Sequence, residues 1–426
     1  MPLHREAATA WLSSRIPFTW RLALRRRLHA LAGTPIPPLL SGGRSRIDRI
    51  KRPPAHPGVS LIGYARGEFG IAETLRANAR ALEHADYPFT IFNLDVGTAS
   101  RQQDRSMESH FSEALGFAIN ACFVNADQMP ILRSLLGKRA FHGHYNIGFW
   151  AWELERFPRD WRCAFSLVDE VWAPTTFVRD AIKADTRKPV LRMPVAIEPV
   201  APTGMDRAYF GLPRDAFVFL FSFDFNGFTA RKNPQAVIAA FRQAFDDPDR
   251  KVRLLLKTSN GRRFPDQLAA LERSVAGDPR IELRDGFLSR EEMSGLQIIA
   301  DCFVSLHRSE GFGLNLAECM FFGKPVIATR YSGNLDFMDD DNSLLVEARM
   351  IALHRGDYPY WNGQHWADPD VAHAARLMRH VHDDRDLASR IGAAAASSIR
   401  RSHSRASSAA AIIKRLESIE NALPPN

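Results

Sequence analysis

The chain has 426 residues, 45% of them hydrophobic and 24% charged, with a formal net charge of +8. That length exceeds one ordinary core and predicts two domains, and no apolar run approaches the ~18–20 residues a membrane-spanning helix needs. The charge is localised, because residues 1–52 hold eleven Arg and Lys against Glu6 and Asp48; the remainder is close to neutral, and no nucleic-acid partner is expected.

Residues 1–56 form the basic leader. Within it Trp20, Leu24, Leu28 and Leu31 fall at helical spacing beside Arg21, Arg25, Arg26 and Arg27, a pattern that suits a basic amphipathic helix on an anionic membrane surface, with residues 1–35 as the contact region. Pro17 and the run TPIPPLLSGG (34–43) break any longer helix, and a disordered extension is the plainer alternative. Cys122, Cys163, Cys302 and Cys319 are irregularly spaced, with no C-x-x-C pair. They read as isolated thiols in a reducing compartment rather than as a disulfide frame or a zinc site.

Residues 57–200 make the first domain. VSLIGY (59–64) is a buried strand, ARGEFG a glycine-bearing turn, and IAETLRANARALEHA a helix by its 3.6-residue period. Strands follow at FTIFNL (89–94), FAINACFV (117–124), YNIGFWAW (145–152) and DEVWAP (169–174). PVAIEPVAPTG (194–204) reads as the connection to a second domain over 205–385. There FVFLFSF, VRLLLKT, IELRDGF, CFVSLH and KPVIAT are strands alternating with helices, and SREE opens one helix with a capping box from Ser289 to Glu292. The Ala/Arg-rich stretch 386–426 is a helical tail expected to pack back on the first domain. Strand alternating with helix predicts an α/β protein of two doubly wound, Rossmann-like domains facing across a cleft.

The chemistry concentrates in HRSEGFGLNLAECMFFGKPVIAT (307–329). Glu310 lies just past the C-terminal end of a strand, where open α/β sheets bind ligands. Gly311 and Gly313 allow a sharp turn, and a helix starts near Asn315, its free amides favouring an anion. Glu318, in that helix, is better placed to accept hydrogen bonds from a ribose diol than to meet a phosphate. A sugar nucleotide is the ligand this arrangement implies.

The string E-G-F-G-L-N-L-A-E followed by G-K-P-V-I-A-T closely resembles the signature of glycosyltransferase family 4, retaining enzymes of the two-Rossmann GT-B fold. The resemblance covers roughly residues 59–400 and is strongest over 217–346. It implies that Glu310 faces the donor sugar near its reacting carbon and that Glu318 holds the ribose. By the same resemblance Gly311, Phe312 and Gly313 reach the sugar through backbone amides, with Leu314, Asn315 and Leu316 around the diphosphate. TARKNPQAVIAAF (229–241) resembles the family's basic loop, so Lys232, with Arg231 beside it, is expected on the phosphates; Lys257 is a weaker candidate. The family often has Glu in the loop after Gly333, whereas this chain has Asp336, to which no role is given.

In the first domain GYARGEFGIAETLR (63–76) resembles the family's glycine-rich loop, with Gly67 and Gly70 at the close-approach positions. NIGFWAWELERFP (146–158) and YPYWNGQHWADPDVAHAARLMR (358–379) resemble a subgroup acting on bacterial polysaccharides. Trp150, Trp152 and Glu153 are expected to face the cleft, the tryptophans either stacking on sugar or filling core. His142 and His144 have strand spacing and read as structural. The run Asp339, Asp340, Asp341 reads as a solvated turn. No metal and no cofactor are therefore expected. The resulting expectation is a cytoplasmic retaining glycosyltransferase, taking a nucleotide-diphosphate sugar and a glycan or lipid-linked acceptor, with peripheral contact at the inner membrane face through residues 1–35. A sugar-nucleotide epimerase on the same fold, or a binding protein without catalysis, is the alternative.

Overall fold

Residues 57–95, 98 and 100–423 are described by the structure, a computed structural model. The basic leader and its expected membrane-facing helix lie outside them. The first sheet is built from β1 (Val59–Gly63), β2 (Phe89–Asn93), β3 (Ile119–Phe123), β4 (Tyr145–Phe149), β5 (Glu170–Ala173) and β6 (Val190–Arg192). Its helices are α1 (Gly70–His84), α2 (Met129–Leu136) and α3 (Thr176–Lys183). The strand order is β2-β1-β3-β4-β5-β6, every pair parallel. β1 and β3 are buried along their whole length, as a parallel sheet covered on both faces requires.

The second sheet contains β7 (Phe217–Asp224), β8 (Val252–Ser259), β9 (Ile281–Asp285), β10 (Cys302–Ser305), β11 (Val326–Thr329) and β12 (Leu344–Val346). With them run α4 (Pro234–Ala244), α5 (Pro265–Val275), α6 (Arg290–Ile299) and α7 (Leu314–Phe321). Its order, β12-β11-β10-β7-β8-β9, is again all parallel. The order reverses between β7 and β10. That crevice, at the carboxyl ends of the strands, is the ligand position of such sheets. The capping box forms as read: Ser289 Oγ accepts from Glu292 N at 3.1 Å, and Glu292 Oε2 accepts from Ser289 N at 2.7 Å.

A hairpin of β13 (Ala348–Ala352) and β14 (His365–Pro369) follows β12 before the chain enters α8 (Val371–Asp383), α9 (Arg385–Ser402) and α10 (Arg405–Glu420). The tail divides between the two halves. α9 packs on α7, where a Cβ on Gly392 would lie 2.1 Å from the Gly323 carbonyl. α10 packs on α1 in the first half: Glu420 Oε1 accepts from Gly58 N and Tyr87 OH, both at 2.9 Å, and Arg415 pairs with the fully buried Glu170 of β5. The crossing strand of chain meets the outgoing connection, with Ile197 N donating to His403 O at 2.7 Å and Arg405 N to Glu198 Oε1 at 2.8 Å.

Two sequence expectations are corrected here. β4 ends at Phe149, so Trp150 and Trp152 lie in the following loop, and that loop turns both rings inward. Trp150 is fully buried against Phe157 and Phe165; Trp152 is buried against Trp161 and Tyr358. They are core, with no face left for a sugar. His142 and His144 are not in a strand: they occupy the turn before β4, His142 exposed and His144 buried, at the end of the strand opposite the cleft. The four cysteines are free, three of them buried and Cys163 exposed. No described helix is long and apolar enough to cross a membrane.

Candidate active site

Two loops straddle the reversal point of the second sheet. One leaves β7 and passes through a short helical turn, Thr229–Lys232; the other leaves β10 and carries Glu310. Both backbones are tied down. Arg231 N and Lys232 N donate to Phe228 O at 3.0 and 3.1 Å, and Arg308 N donates to Arg231 O at 2.8 Å. Glu310 N donates to Ser332 Oγ at 2.8 Å, and Gly333 N donates to Glu310 O at 2.9 Å. A side chain at 333 is impossible without movement, since its Cβ would sit 2.2 Å from the Gly311 carbonyl oxygen.

These loops bring together Glu310, Arg231 and Lys232. Glu310 Oε1 is ion-paired with Lys232 Nζ, and Oε2 with Arg231 NH1 at 3.2 Å. Arg231 is fixed further by the carbonyls of Ser309 (2.8 Å) and Gly227 (3.1 Å). Burial raises the Glu310 carboxyl, but Lys232, Arg231 and His307 outweigh it and hold the group down at about 2. Burial draws Lys232 below its ordinary value while Glu310 pulls it back up. Two cations therefore face Glu310 at the carboxyl edge of the sheet, with a second carboxylate, Glu153, 4.0 Å from Arg231. Lys232 and Arg231 give an anionic group of the ligand a cationic partner there.

Helix α7 begins immediately after the loop. Its N-cap, Gly313, has φ +97°, a conformation an L side chain rarely adopts. The amides of Leu314, Asn315 and Leu316 have no carbonyl four residues earlier within the helix, so its N-terminus offers donors to an anion. The Asn315 side chain donates to Ser222 Oγ of β7 at 3.0 Å. Leu316 is core, and so is the ring of Phe312, packed against Phe337 at 5.0 Å and His403 at 5.6 Å; only the backbone of these positions is left for a ligand. One turn on, Glu318 is nearly fully buried, with Oε1 2.5 Å from Arg290 NH2 and Oε2 accepting from Gln297 Nε2 at 2.8 Å.

The first half closes on these loops. Thr175 Oγ1 donates to Gly311 O at 2.8 Å, and Ser309 Oγ donates to Glu153 O. Asp336, left without a role by the sequence, accepts from Thr176 N at 3.0 Å and pairs with Arg192 at 3.0 Å. Glu153, in the loop after β4, lies 4.0 Å from Arg231 NH2. Arg290 also lies 4.0 Å from Glu73 in α1, which Arg76 and Arg80 hold at 2.7 and 2.9 Å. Gly67 is buried, its carbonyl accepting from Arg76 NH1 at 2.6 Å, whereas Gly70 opens α1 beside empty space.

Residues 227–398 match the family described as glycosyl transferases group 1. The matched stretch runs from the basic loop into α9 and contains Arg231, Lys232, Glu310 and Glu318. No curated protein matches the chain. Among solved structures, sucrose-phosphate synthase from Thermosynechococcus elongatus is similar with a TM-score of 0.64 and 15% identity, over 86% of this chain and 100% of that one. A glycosyltransferase from Rickettsia africae has a TM-score of 0.61 and 12% identity, covering 85% and 98%. Anabaena HepE, solved in complex with UDP and glucose, has a TM-score of 0.59 and 14% identity, covering 85% and 100%. At these identities the likeness concerns architecture, and it places the chain in the GT-B fold.

Two residues that shape the site, Arg290 and Gln297, had no sequence signal of their own. Arg290 and Gln297, which hold Glu318, lie 28 and 21 residues before it. Tyr358 comes from the hairpin, its hydroxyl donating to Glu153 Oε2 at 2.7 Å and its ring lying 5.8 Å from the Arg231 guanidinium carbon. Lys257, at the end of β8, donates to Thr258 O at 2.7 Å and to Gly286 O; burial lowers it to about 8. Among the described residues no group of three or more His, Cys, Asp or Glu is arranged to hold a metal ion. The run Asp339–Asp341 is a turn, with Asp339 Oδ1 accepting from the amides of Asp341 and Asn342.

Proposed function

We propose that this chain transfers a sugar from a nucleotide-diphosphate sugar to an acceptor hydroxyl, with retention at the anomeric carbon and without a metal ion or other cofactor. The acceptor is a glycan or lipid-linked saccharide, of the kind used in polysaccharide synthesis in the cytoplasm or at the inner membrane face. The observation that carries this reading is the Glu310–Lys232–Arg231 cluster across the β7/β10 crevice, one helical loop away from the buried Glu318.

A donor laid along α7 meets three kinds of partner. Glu318 accepts the ribose hydroxyls, the α7 amides and Lys232 take the diphosphate, and Glu310 bounds the sugar. As the bond from the anomeric carbon to the phosphate oxygen breaks, charge accumulates on the leaving diphosphate. Preorganised cations and amides stabilise that charge without reorganising, and this is commonly the largest contribution to such catalysis. The acceptor oxygen bonds to the anomeric carbon from the same face, and its proton passes to the departing phosphate oxygen. Glu310 is ionised throughout the working pH range, because its carboxyl is held at about 2, so it supports positive charge developing on the sugar.

The test is a thermal-stability screen of the full chain with UDP-glucose, UDP-N-acetylglucosamine and GDP-mannose, followed by transfer assays. A donor at 100 times its Kd adds about 2.7 kcal/mol. Stabilisation by one of them, followed by acceptor-dependent nucleotide release, is expected. Absence of stabilisation by any donor refutes the site, and donor conversion at an equal rate without acceptor refutes transfer in favour of epimerisation.

A further inference from the structure

The sequence offers two tryptophans for stacking on a sugar, and the structure buries both. A different aromatic stands open beside the reacting cluster. Phe228 is 39% exposed, and its φ of +65° with ψ 108° is a conformation that bulky L residues rarely adopt. The backbone there is needed, since its carbonyl receives the amides of both Arg231 and Lys232. The side chain is not needed for that purpose: glycine would hold the same turn without strain, and the ring is only partly packed. Strain of this kind persists where surrounding structure enforces it, and it concentrates at functional sites.

What surrounds the ring is specific. Its centroid lies 4.7 Å from that of Tyr358, edge-on at 65°. The Tyr358 hydroxyl holds Glu153 Oε2, leaving Oε1 of that carboxylate 4.0 Å from Arg231, with the Glu153 side chain 24% exposed. Arg231 then leads to Glu310. A part-exposed aromatic ring, linked through Tyr358 to a carboxylate with spare acceptor capacity, matches a pyranose, which has an apolar face of C–H groups and a rim of hydroxyls. An alkyl chain would use only the ring.

We propose that Phe228 and Glu153 form a pyranose-binding subsite for the acceptor, with Tyr358 of the hairpin as the positioning residue that holds Glu153. This rests on the transfer reading for the identity of the occupant, and its test separates the two. Full-length wild type, Phe228→Gly and Phe228→Tyr are examined by saturation-transfer NMR with the methyl pyranosides of glucose, galactose, mannose and N-acetylglucosamine, each with and without UDP. At least one glycoside is expected to receive saturation at its ring protons in wild type and Phe228→Tyr. In Phe228→Gly its Kd should rise by about tenfold or more, the loss of one stacking contact, while the melting temperature is retained or raised.

UDP binding with no glycoside bound by wild type overturns the subsite. So does undiminished glycoside binding in Phe228→Gly. A joint fall of melting temperature and UDP affinity in Phe228→Gly also overturns it, since the ring would then be a structural brace. Glycoside binding lost in Phe228→Gly, with no UDP binding to wild type, supports the subsite and refutes the donor reading instead.

Discussion

Replacing Glu310 by glutamine removes one charge from a buried cluster of three, and the size of the effect follows from how strongly that charge is held. The carboxyl is displaced from 4.5 to about 2. At about 1.4 kcal/mol per pH unit, the ionised form is favoured in the fold by about 3 kcal/mol. Because the folded value lies below the unfolded one, this stability is fully present above about pH 4.5 and is lost as pH falls toward 2. At pH 7, Glu310→Gln therefore forfeits about 3 kcal/mol and leaves Arg231, 6% exposed at its side chain, and Lys232 facing each other without their anion. For a domain of this size that is a melting-point fall of roughly 6–12 °C. Differential scanning fluorimetry with and without UDP supplies the second half of the test. In wild type the diphosphate must share Lys232 with Glu310; in the variant it does not. The UDP-induced rise should therefore be larger in Glu310→Gln than in wild type, while sugar transfer falls by about 10²–10³. A variant melting within about 2 °C of wild type refutes the energetic argument, and a smaller UDP shift refutes Lys232 as a phosphate partner.

Lys232→Met should abolish most of the UDP-induced stabilisation and lower kcat, yet unfold less readily than Glu310→Gln, since Glu310 keeps Arg231 at 3.2 Å; melting curves with UDP check this. Glu318→Ala should raise donor KM more than it lowers kcat, because a ribose contact is largely uniform binding; steady-state kinetics showing a pure kcat loss would contradict that role. It should also cost about 1.5–3 kcal/mol of stability from the lost Arg290 and Gln297 bonds. Burial, with Arg192 adding to it, holds His403 at about 4. Since the unfolded chain takes up that proton first, stability should fall by about 3 kcal/mol as pH drops from 6.5 to 4. His403→Gln should lack that component when denaturant midpoints are compared across the range.

β1 to β5 and β7 to β11 were legible because each is a short apolar run bounded by turn residues, and the β7-to-β11 series carries the loop motifs at its carboxyl edge; the three-residue β6 and β12 and the β13–β14 hairpin were not. Glu310, Lys232 and Arg231 were legible as candidates for the same reason: residues placed just past strand ends converge wherever the sheet order reverses. The inward turn of Trp150 and Trp152 was not. An apolar pair after a strand reads identically whether the loop that follows faces solvent or core, and residues 150–157 are committed by contacts distant in sequence, among them Phe165, Trp161 and Tyr358. Arg290 escaped notice because its partner Glu318 lies on another helix, a relation no local period encodes. Phe228 escaped because a positive φ announces itself in a sequence only when glycine occupies it.

The two acids that bracket the glycine loop are neutralised in different ways, and the difference bears on how the halves of the molecule communicate. Glu310 is compensated by cations of its own sheet's loop, Arg231 and Lys232, so its ionisation does not depend on the other half. Glu318 is compensated by Arg290, whose other acidic neighbour, Glu73, belongs to α1 of the first half at 4.0 Å. Between them the loop itself is pinned across the cleft through Gly311 O and Ser309 Oγ. A ligand hydroxyl arriving at Glu318 must share the carboxylate with Arg290 or move it. Either change alters an ion pair that reaches the first half through Glu73, and a phosphate arriving at Lys232 alters a cluster that reaches it through Arg231 and Glu153. On the proposed donor placement, then, both ends of the loop are coupled electrostatically to the first half, Glu318 by way of Arg290 and Glu73 and Glu310 by way of Arg231 and Glu153, and the loop between them is coupled to it through its pinned backbone.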